Sequence, residues 1–214
     1  MTWLRGPDIS VHQGLIDWDL LAPAIDFAIV RGGDGDFQDS LLEANVSGAV
    51  SRSRPVALYH FGRFRLSPSQ MAGECHRTYE RALGAGMREG FDFYLDLEGI
   101  SLEGSALGLL GRQDWMLETL ERLSDIPREG MYSGPGFWNS LGGMGGMLLP
   151  TGLLRWTANY PFGDDPPPPG FPVEDVDAPL VPLGWGNRWD GWQCTSSYTL
   201  PGILGRVDMN VFKE

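Results

Sequence analysis

Residues 93–99 read Phe-Tyr-Leu-Asp-Leu-Glu-Gly, and this alternation of side chains predicts a β-strand, which we place at Phe91–Leu97. Alternate side chains of a strand face the same way, so Tyr94, Asp96 and Glu98 share one face. The opposite face is apolar and is expected to pack on helices. The polar face would then point into a barrel and rise to its C-terminal mouth.

Strand and helix patterns alternate on both sides of this segment. The predicted strands are Pro7–Val11, Phe27–Arg31, Pro55–Phe61, Phe91–Leu97, Gly130–Ser133, Leu153–Asn159, Trp192–Ser196 and Arg206–Val211. The predicted helices are Trp18–Ala24, Asp39–Ser51, one from Ser67 to Gly84 with a capping box at Ser67 and Gln70, Ser105–Leu123 and Gly136–Leu141. We therefore expect an α/β fold, an irregular TIM-like barrel of five βα units followed by three β-strands.

The length and the loops complete the expected organisation. The 214 residues suit a single catalytic barrel over residues 1–214, with no separate wall-binding domain. Gly142–Met147 and Pro161–Asp190 are predicted loops. Loops as long as the second are usually functional or disordered. We expect it to form a wall of the substrate cleft, the alternative being a tolerated surface insertion.

Composition excludes several classes of function. The net charge of −12 leaves no basic footprint for nucleic acid and disfavours anionic membranes. No apolar run is long enough to span a bilayer, and no signal peptide is visible at the N-terminus. Cys75 and Cys194 are expected to be two buried thiols. The histidine and cysteine spacings fit no zinc motif, so neither a metal nor another cofactor is expected.

Further acids fall at matching strand ends. Asp8 lies in the first strand, Asp34 follows the second, and Asp208 lies in the last. The first and last strands of a closed barrel are neighbours, so Asp8 and Asp208 should be close in space. Such a cluster suits acid catalysis, whereas the alternatives are metal binding or, for Asp34, capping of a turn.

Aromatic residues accompany these acids. Tyr59, Tyr132, Trp156 and Tyr160 are candidate sugar-binding residues, with core packing as the alternative. His60 alternates with Tyr59 and is interpreted as structural.

Eight ordered segments resemble the glycoside hydrolase family 25 lysozymes, or Chalaropsis-type muramidases. They are DISVHQGLIDW, FAIVRGGDG, ALYHFGRF, FYLDLEG, GMYSGPGFW, WTANY, WQCTSS and GRVDMNVF. The sequence departs from the family pattern at Asp34, where Glu is frequent, and in the length of the stretch Phe162–Trp189.

The resemblance implies cleavage of the β-1,4 bond between N-acetylmuramic acid and N-acetylglucosamine in bacterial peptidoglycan. Glu98 would be the general acid and Asp96 its partner, with Asp8 and Asp208 completing the acidic cluster. Many phage endolysins belong to this family. We therefore expect a monomer made in the host bacterial cytoplasm that reaches the wall by holin-dependent release or in association with the virion.

The residues alone leave the mechanism open. Two close carboxyls repel when both are ionised, so one keeps its proton to higher pH, as acetal hydrolysis requires. Asp96 could attack the sugar or orient the substrate's acetamido group, and retaining, inverting and substrate-assisted routes all remain. The rival hypotheses are a non-catalytic glycan-binding or virion structural barrel and a wall amidase or peptidase.

Overall fold

The computed structural model describes residues 3–140, 149–161, 163, 165, 179–186 and 188–213. The strands in these segments are β1 Trp3–Ile9, β2 Ala28–Asp34, β3 Phe37–Gln38, β4 Val56–Phe61, β5 Phe93–Asp96, β6 Glu129–Ser133, β7 Leu154–Ala158, β8 Gly191–Tyr198 and β9 Val207–Lys213. The α-helices are α1 Trp18–Leu21, α2 Leu42–Val50, α3 Pro68–Gly84, α4 Leu109–Leu123 and α5 Pro135–Ser140. Short 3₁₀ turns cover Val11–Gln13, Ala22–Ala24 and Gly99–Leu102.

Eight of these strands close into a barrel, as the sequence predicted. Their order is β1-β9-β8-β7-β6-β5-β4-β2, and a parallel pairing of β1 with β2 completes the circle. The two-residue β3 pairs only with the end of β2. Strand β9 is antiparallel to both of its neighbours, whereas the other barrel pairings are parallel. The beginning of β9 therefore lies at the rim where the parallel strands end.

The two faces of the barrel strands enter two separate apolar clusters. On β5, Phe93 and Leu95 pack into the large outer cluster with the helices, while Tyr94 belongs to the inner one. The inner cluster comprises the buried residues Phe27, Ile29, Tyr94, Tyr132 and Trp156. The barrel interior is thus a packed aromatic core, and this core forms the floor beneath the polar rim.

A β-bulge at Gly32 changes which way the end of β2 faces. Arg31 pairs with Tyr59 of β4, but the next paired residue is Gly33, so Gly32 is the extra residue. A Cβ on Gly32 would lie 1.9 Å from the Thr78 side chain, so only glycine fits there. Without the bulge, strict alternation from Arg31 would place Asp34 on the outward face. The extra residue puts Asp34 on the inward face instead.

The predicted elements are all found, but several of their ends differ. Helix α3 begins with the predicted capping box, in which the Ser67 hydroxyl accepts from Gln70 N at 3.2 Å. Helix α2 begins at Leu42 rather than Asp39, because the Asp39 carboxylate accepts bonds from Val11 N and Leu41 N instead. Residues 141–148 and about half of the predicted loop Pro161–Asp190 lie outside the described residues, so the cleft wall expected there stays a prediction. In the described part of the chain, no helix is both long and apolar enough for a membrane span.

Candidate active site

Five carboxyl groups converge on one rim of the barrel. Asp34 and Asp96 are the last residues of β2 and β5, and Asp8 lies next to the end of β1. Glu98 follows β5 and precedes the 3₁₀ turn, so it lies just beyond the strand rather than within it. Asp208, near the start of the antiparallel β9, is paired directly with Asp8. The predicted proximity of these last two residues is therefore confirmed.

Asp8 and Asp208 act as one carboxyl pair. They hydrogen-bond to each other, and Asp8 Oδ2 also accepts from Gln193 Nε2 at 2.8 Å and from Asn210 Nδ2 at 2.9 Å. Burial raises the pKa of Asp8, although these two amide bonds oppose the rise. Burial and the neighbouring Asp8 raise the pKa of Asp208 to about 8. The pair therefore shares a proton near neutral pH, with Asp208 as its donor.

Asp96 is the most enclosed acid at the rim. It is 4% exposed, and its Oδ1 has no hydrogen-bond partner among the described residues. Burial, followed by the charge of Glu98, holds its pKa well above the usual range, and Arg31 only partly opposes this. An acceptor atom that is buried without a donor is costly. A ligand N–H group that reached Asp96 would relieve that cost.

Glu98 is half-buried at the mouth of the barrel. Its backbone N–H donates to Ser101 Oγ at 2.9 Å, which fixes the turn out of β5. Burial raises the pKa of its carboxyl, and a hydrogen bond from Tyr132 lowers it in part. A carboxyl with a raised pKa that still reaches solvent can hold a proton and deliver it to a bound molecule.

Asp34 differs from the other acids because it is paired with a cation. Its two carboxylate oxygens accept from Arg63 Nε at 2.5 Å and Arg63 Nη2 at 2.7 Å. Its side chain is 34% exposed, and Arg63 also donates to Ile100 O at 2.6 Å. Asp34 therefore lies at the rim as an ion pair with Arg63, and its charge still contributes to the raised pKa of Asp96.

The four predicted sugar-binding aromatics lie at different depths. Trp156 is 1% exposed and Tyr132 is 3% exposed, with their ring centroids 4.3 Å apart. Both rings are therefore packed in the barrel floor, while the Tyr132 hydroxyl and Trp156 Nε1 bond to Gln193 and Asn210 of the site. Tyr59 and Tyr160 are only partly buried, so they are the members of the set that reach solvent.

Two polar residues of the site were missed by the sequence reasoning. Gln193 donates to both members of the carboxyl pair, and Asn210 donates to Asp8 and accepts from Trp156 Nε1 at 2.9 Å. Both are buried, on the inward face of β8 and β9. A signal was present, because each alternates with apolar neighbours and Asn210 stands two residues after Asp208.

The predictions that His60 is structural and that the two cysteines are buried thiols agree with the structure. His60 is buried away from the rim, where Nδ1 contacts Thr78 Oγ1 at 2.8 Å and Nε2 contacts Gly35 O at 2.9 Å. Burial lowers its pKa to about 4, so it is a neutral structural residue. Cys75 and Cys194 are separate buried thiols. Within the described segments, no group of three or more His, Cys, Asp or Glu side chains has a metal-holding arrangement.

Comparisons with known proteins agree with this geometry. A sequence profile described as "Glycosyl hydrolases family 25" matches residues 7–203. Among solved structures, the catalytic domain of endolysin ply40 from bacteriophage P40 of Listeria monocytogenes has a TM-score of 0.75 at 24% identity, over 100% of this chain and 94% of that one. A bacterial lysozyme from Streptomyces coelicolor has a TM-score of 0.77 at 21% identity, with coverage of 100% and 94%.

A third solved structure has the same fold. A family GH25 lysozyme from Aspergillus fumigatus has a TM-score of 0.70 at 17% identity, over 100% of this chain and 95% of that one. No curated protein matches the sequence significantly. The likeness to solved structures shows a shared barrel, and the profile match shows the family.

Proposed function

Because this chain belongs to glycosyl hydrolase family 25 and is therefore a glycoside hydrolase, we propose that it is a lysozyme that hydrolyses bacterial peptidoglycan. The bond we assign to it is the β-1,4 linkage between N-acetylmuramic acid and N-acetylglucosamine. The supporting observation is the carboxyl cluster at the barrel mouth, where a partly exposed Glu98 lies beside the buried Asp96. Cleavage of an acetal needs a proton donor and a second carboxyl of different character. Here the two differ in exposure, because Glu98 reaches solvent and Asp96 is enclosed.

In this proposal Glu98 is the general acid. It protonates the glycosidic oxygen as the bond from the anomeric carbon breaks, and the leaving sugar departs as an alcohol. Burial supports the role because it favours the protonated form of Glu98 before the substrate binds. The partial exposure of Glu98 supports it as well, since the carboxyl must reach a polymer that approaches from solvent.

Asp96 is assigned to orient the acetamido group of the substrate. Its enclosure, at 4% exposed, disfavours direct attack on a sugar carbon at the rim. Its unpartnered Oδ1 suits acceptance of an N–H instead. The acetamido oxygen of N-acetylmuramic acid would then attack the anomeric carbon of its own sugar, and water would open the resulting ring.

The other predicted site residues are given supporting roles. Tyr59 and Tyr160 would contact the sugars, while Tyr132 and Trp156 would support the site from the aromatic core beneath it. Asp8 and Asp208 would hold their shared proton beside the cleft. Asp34 would bind substrate as an ion pair with Arg63, whose guanidinium also lies 5.1 Å from the Phe61 ring centroid.

The biological setting is proposed on narrower support. The likeness to a bacteriophage endolysin domain suits a phage-encoded, monomeric lysin made in the host cytoplasm. In phage-infected cells, holin-dependent release predicts that the protein is recovered in the free fraction, and virion association predicts that it is recovered with the phage particles. Recovery of the protein from uninfected cells, encoded by the bacterial chromosome, would contradict both routes.

The test of the activity is a pair of glutamate substitutions. Glu98→Gln removes the proton donor and should lower the release of reducing ends from purified walls by at least about 100-fold. Glu121→Gln, at an exposed position of α4, is the matched control and should act like wild type. Near-normal activity of a folded Glu98→Gln protein would overturn the assignment of the acid. Wall binding by wild type without new reducing ends would favour a non-catalytic glycan-binding barrel.

A further inference from the structure

We propose that Gln193 is a positioning residue that couples the Asp8–Asp208 carboxyl pair to Glu98 through the hydroxyl group of Tyr132. Its kinetic consequence rests on the proposed acid role of Glu98. The coupling itself is a property of the hydrogen bonds and stands apart from that role.

The Gln193 amide forms hydrogen bonds through both its nitrogen and its oxygen. Nε2 donates to Asp8 Oδ2 at 2.8 Å and to Asp208 Oδ2 at 3.3 Å. Oε1 accepts from the hydroxyls of Tyr132, at 2.7 Å, and Tyr160. A flipped amide would direct its N–H groups at the tyrosine hydroxyls and its oxygen at the carboxyl pair, so the flipped orientation is disfavoured. Gln193 is 4% exposed, so water cannot replace these bonds cheaply.

The Tyr132 hydroxyl has a single proton and two possible acceptors. That hydroxyl contacts Gln193 Oε1 and also bonds to Glu98. One O–H proton cannot be donated fully to two acceptors at once. When it is directed at Gln193, the ionised form of Glu98 loses a donor, and Glu98 keeps its own proton to higher pH. Gln193 thereby favours the acid form that the proposed reaction needs.

Acids and tyrosines on several neighbouring elements also affect the pKa of Glu98. Asp96 precedes it on β5, Asp8 and Asp208 face it from β1 and β9, and Tyr132 and Tyr160 face it from β6 and the segment after β7. Loss of the Gln193 amide would free the Tyr132 hydroxyl proton for Glu98. The loss would also make the carboxyl pair hold its proton more tightly, which weakens its negative field. Both effects lower the pKa of Glu98.

The experiment is a ¹³C NMR titration of the Glu98 carboxyl in the full-length protein. In Gln193→Met we expect its pKa to fall by about 0.5–1 unit relative to wild type. Gln113→Met makes the same chemical change on α4, away from the site, and should leave the titration unchanged. A folded Gln193→Met protein with an unchanged or raised Glu98 pKa would overturn the proposal. If this variant fails to fold, Gln193→Asn, whose shorter amide cannot span both partners, should show the same fall.

The route through Tyr132 is tested by a double-mutant cycle. Tyr132→Phe removes the donor and should raise the pKa of Glu98. Adding Gln193→Met to that background should lower it by less than half of the amount seen alone. An equal effect in both backgrounds would refute the route through the hydroxyl group.

The kinetic readout is the pH profile of kcat/KM on purified peptidoglycan. The alkaline limb should move to lower pH in Gln193→Met by the same amount as the NMR titration, with KM little changed. A purely structural role would lower activity at all pH values without moving the limb. If Glu98→Gln remains active, the proposed function fails, while the NMR result still decides the coupling.

Discussion

Replacement of Asp208 by asparagine should stabilise the protein at neutral pH and not at acidic pH. The pKa of Asp208 is about 8 in the folded protein against an ordinary value of 3.8. Between those values the folded protein holds a proton that the unfolded chain has released. Unfolding then releases protons, so stability falls as pH rises through this window. Asparagine resembles the protonated acid and donates to Asp8 at every pH, so it should remove that dependence.

The magnitude follows from the size of the shift. The pKa rises from 3.8 to about 8, and each pKa unit corresponds to roughly 1.4 kcal/mol. The upper limit on the stabilisation by asparagine is therefore about 6 kcal/mol above pH 8. Asp208 is partly open to solvent and coupled to Asp8, so we expect about 1–3 kcal/mol at pH 7. For a chain of this size that corresponds to a rise in Tm of roughly 2–12 °C.

The assay is thermal and urea unfolding at pH 4 and pH 7. Asp114→Asn, an exposed substitution on α4, is the control and should show little difference between the two pH values. The reasoning is refuted if Asp208→Asn is destabilising at pH 7, or if its effect is the same at both pH values.

Three further substitutions test separate parts of the structure. Gly32→Ala should cost at least about 1–3 kcal/mol and lower activity, since its Cβ would clash with Thr78 and displace Asp34; urea unfolding without loss of stability would contradict the bulge. Ser67→Ala should cost about 1 kcal/mol by loss of the α3 N-cap while kcat stays normal, and a changed kcat would argue against a purely local role. Cys75→Ser should retain wall lysis in the presence of a chelator, because the thiol is buried and its pKa is raised by burial; abolished lysis in a folded variant would point to a thiol mechanism instead.

The barrel was predictable because its strands carry two distinct faces. Phe93 and Leu95 pack outward and Tyr94 packs inward, so the alternation in this segment corresponds to two buried faces of the strand. The capping box at Ser67 was equally visible, because its contacts are local in sequence. The neighbouring positions of Asp8 and Asp208 followed from closure of the barrel alone.

Features that depend on tertiary contacts were not predictable in the same way. The inward position of Asp34 requires the bulge at Gly32, and its pairing with Arg63 joins two distant segments. The burial of Trp156 reflects the aromatic core around it, which residue type alone does not reveal. The alternation of Gln193 with apolar neighbours places it on the inward face of its strand, but its role in the site follows only from its contacts with Asp8, Asp208 and Tyr132.

The product of peptidoglycan digestion tests the central claim most directly. Mass spectrometry of walls treated with the wild-type protein should show new fragments that end in a reducing N-acetylmuramic acid, and Glu98→Gln should produce none under the same conditions. Fragments that end in reducing N-acetylglucosamine, or new amino groups without new reducing ends, would contradict the proposed activity.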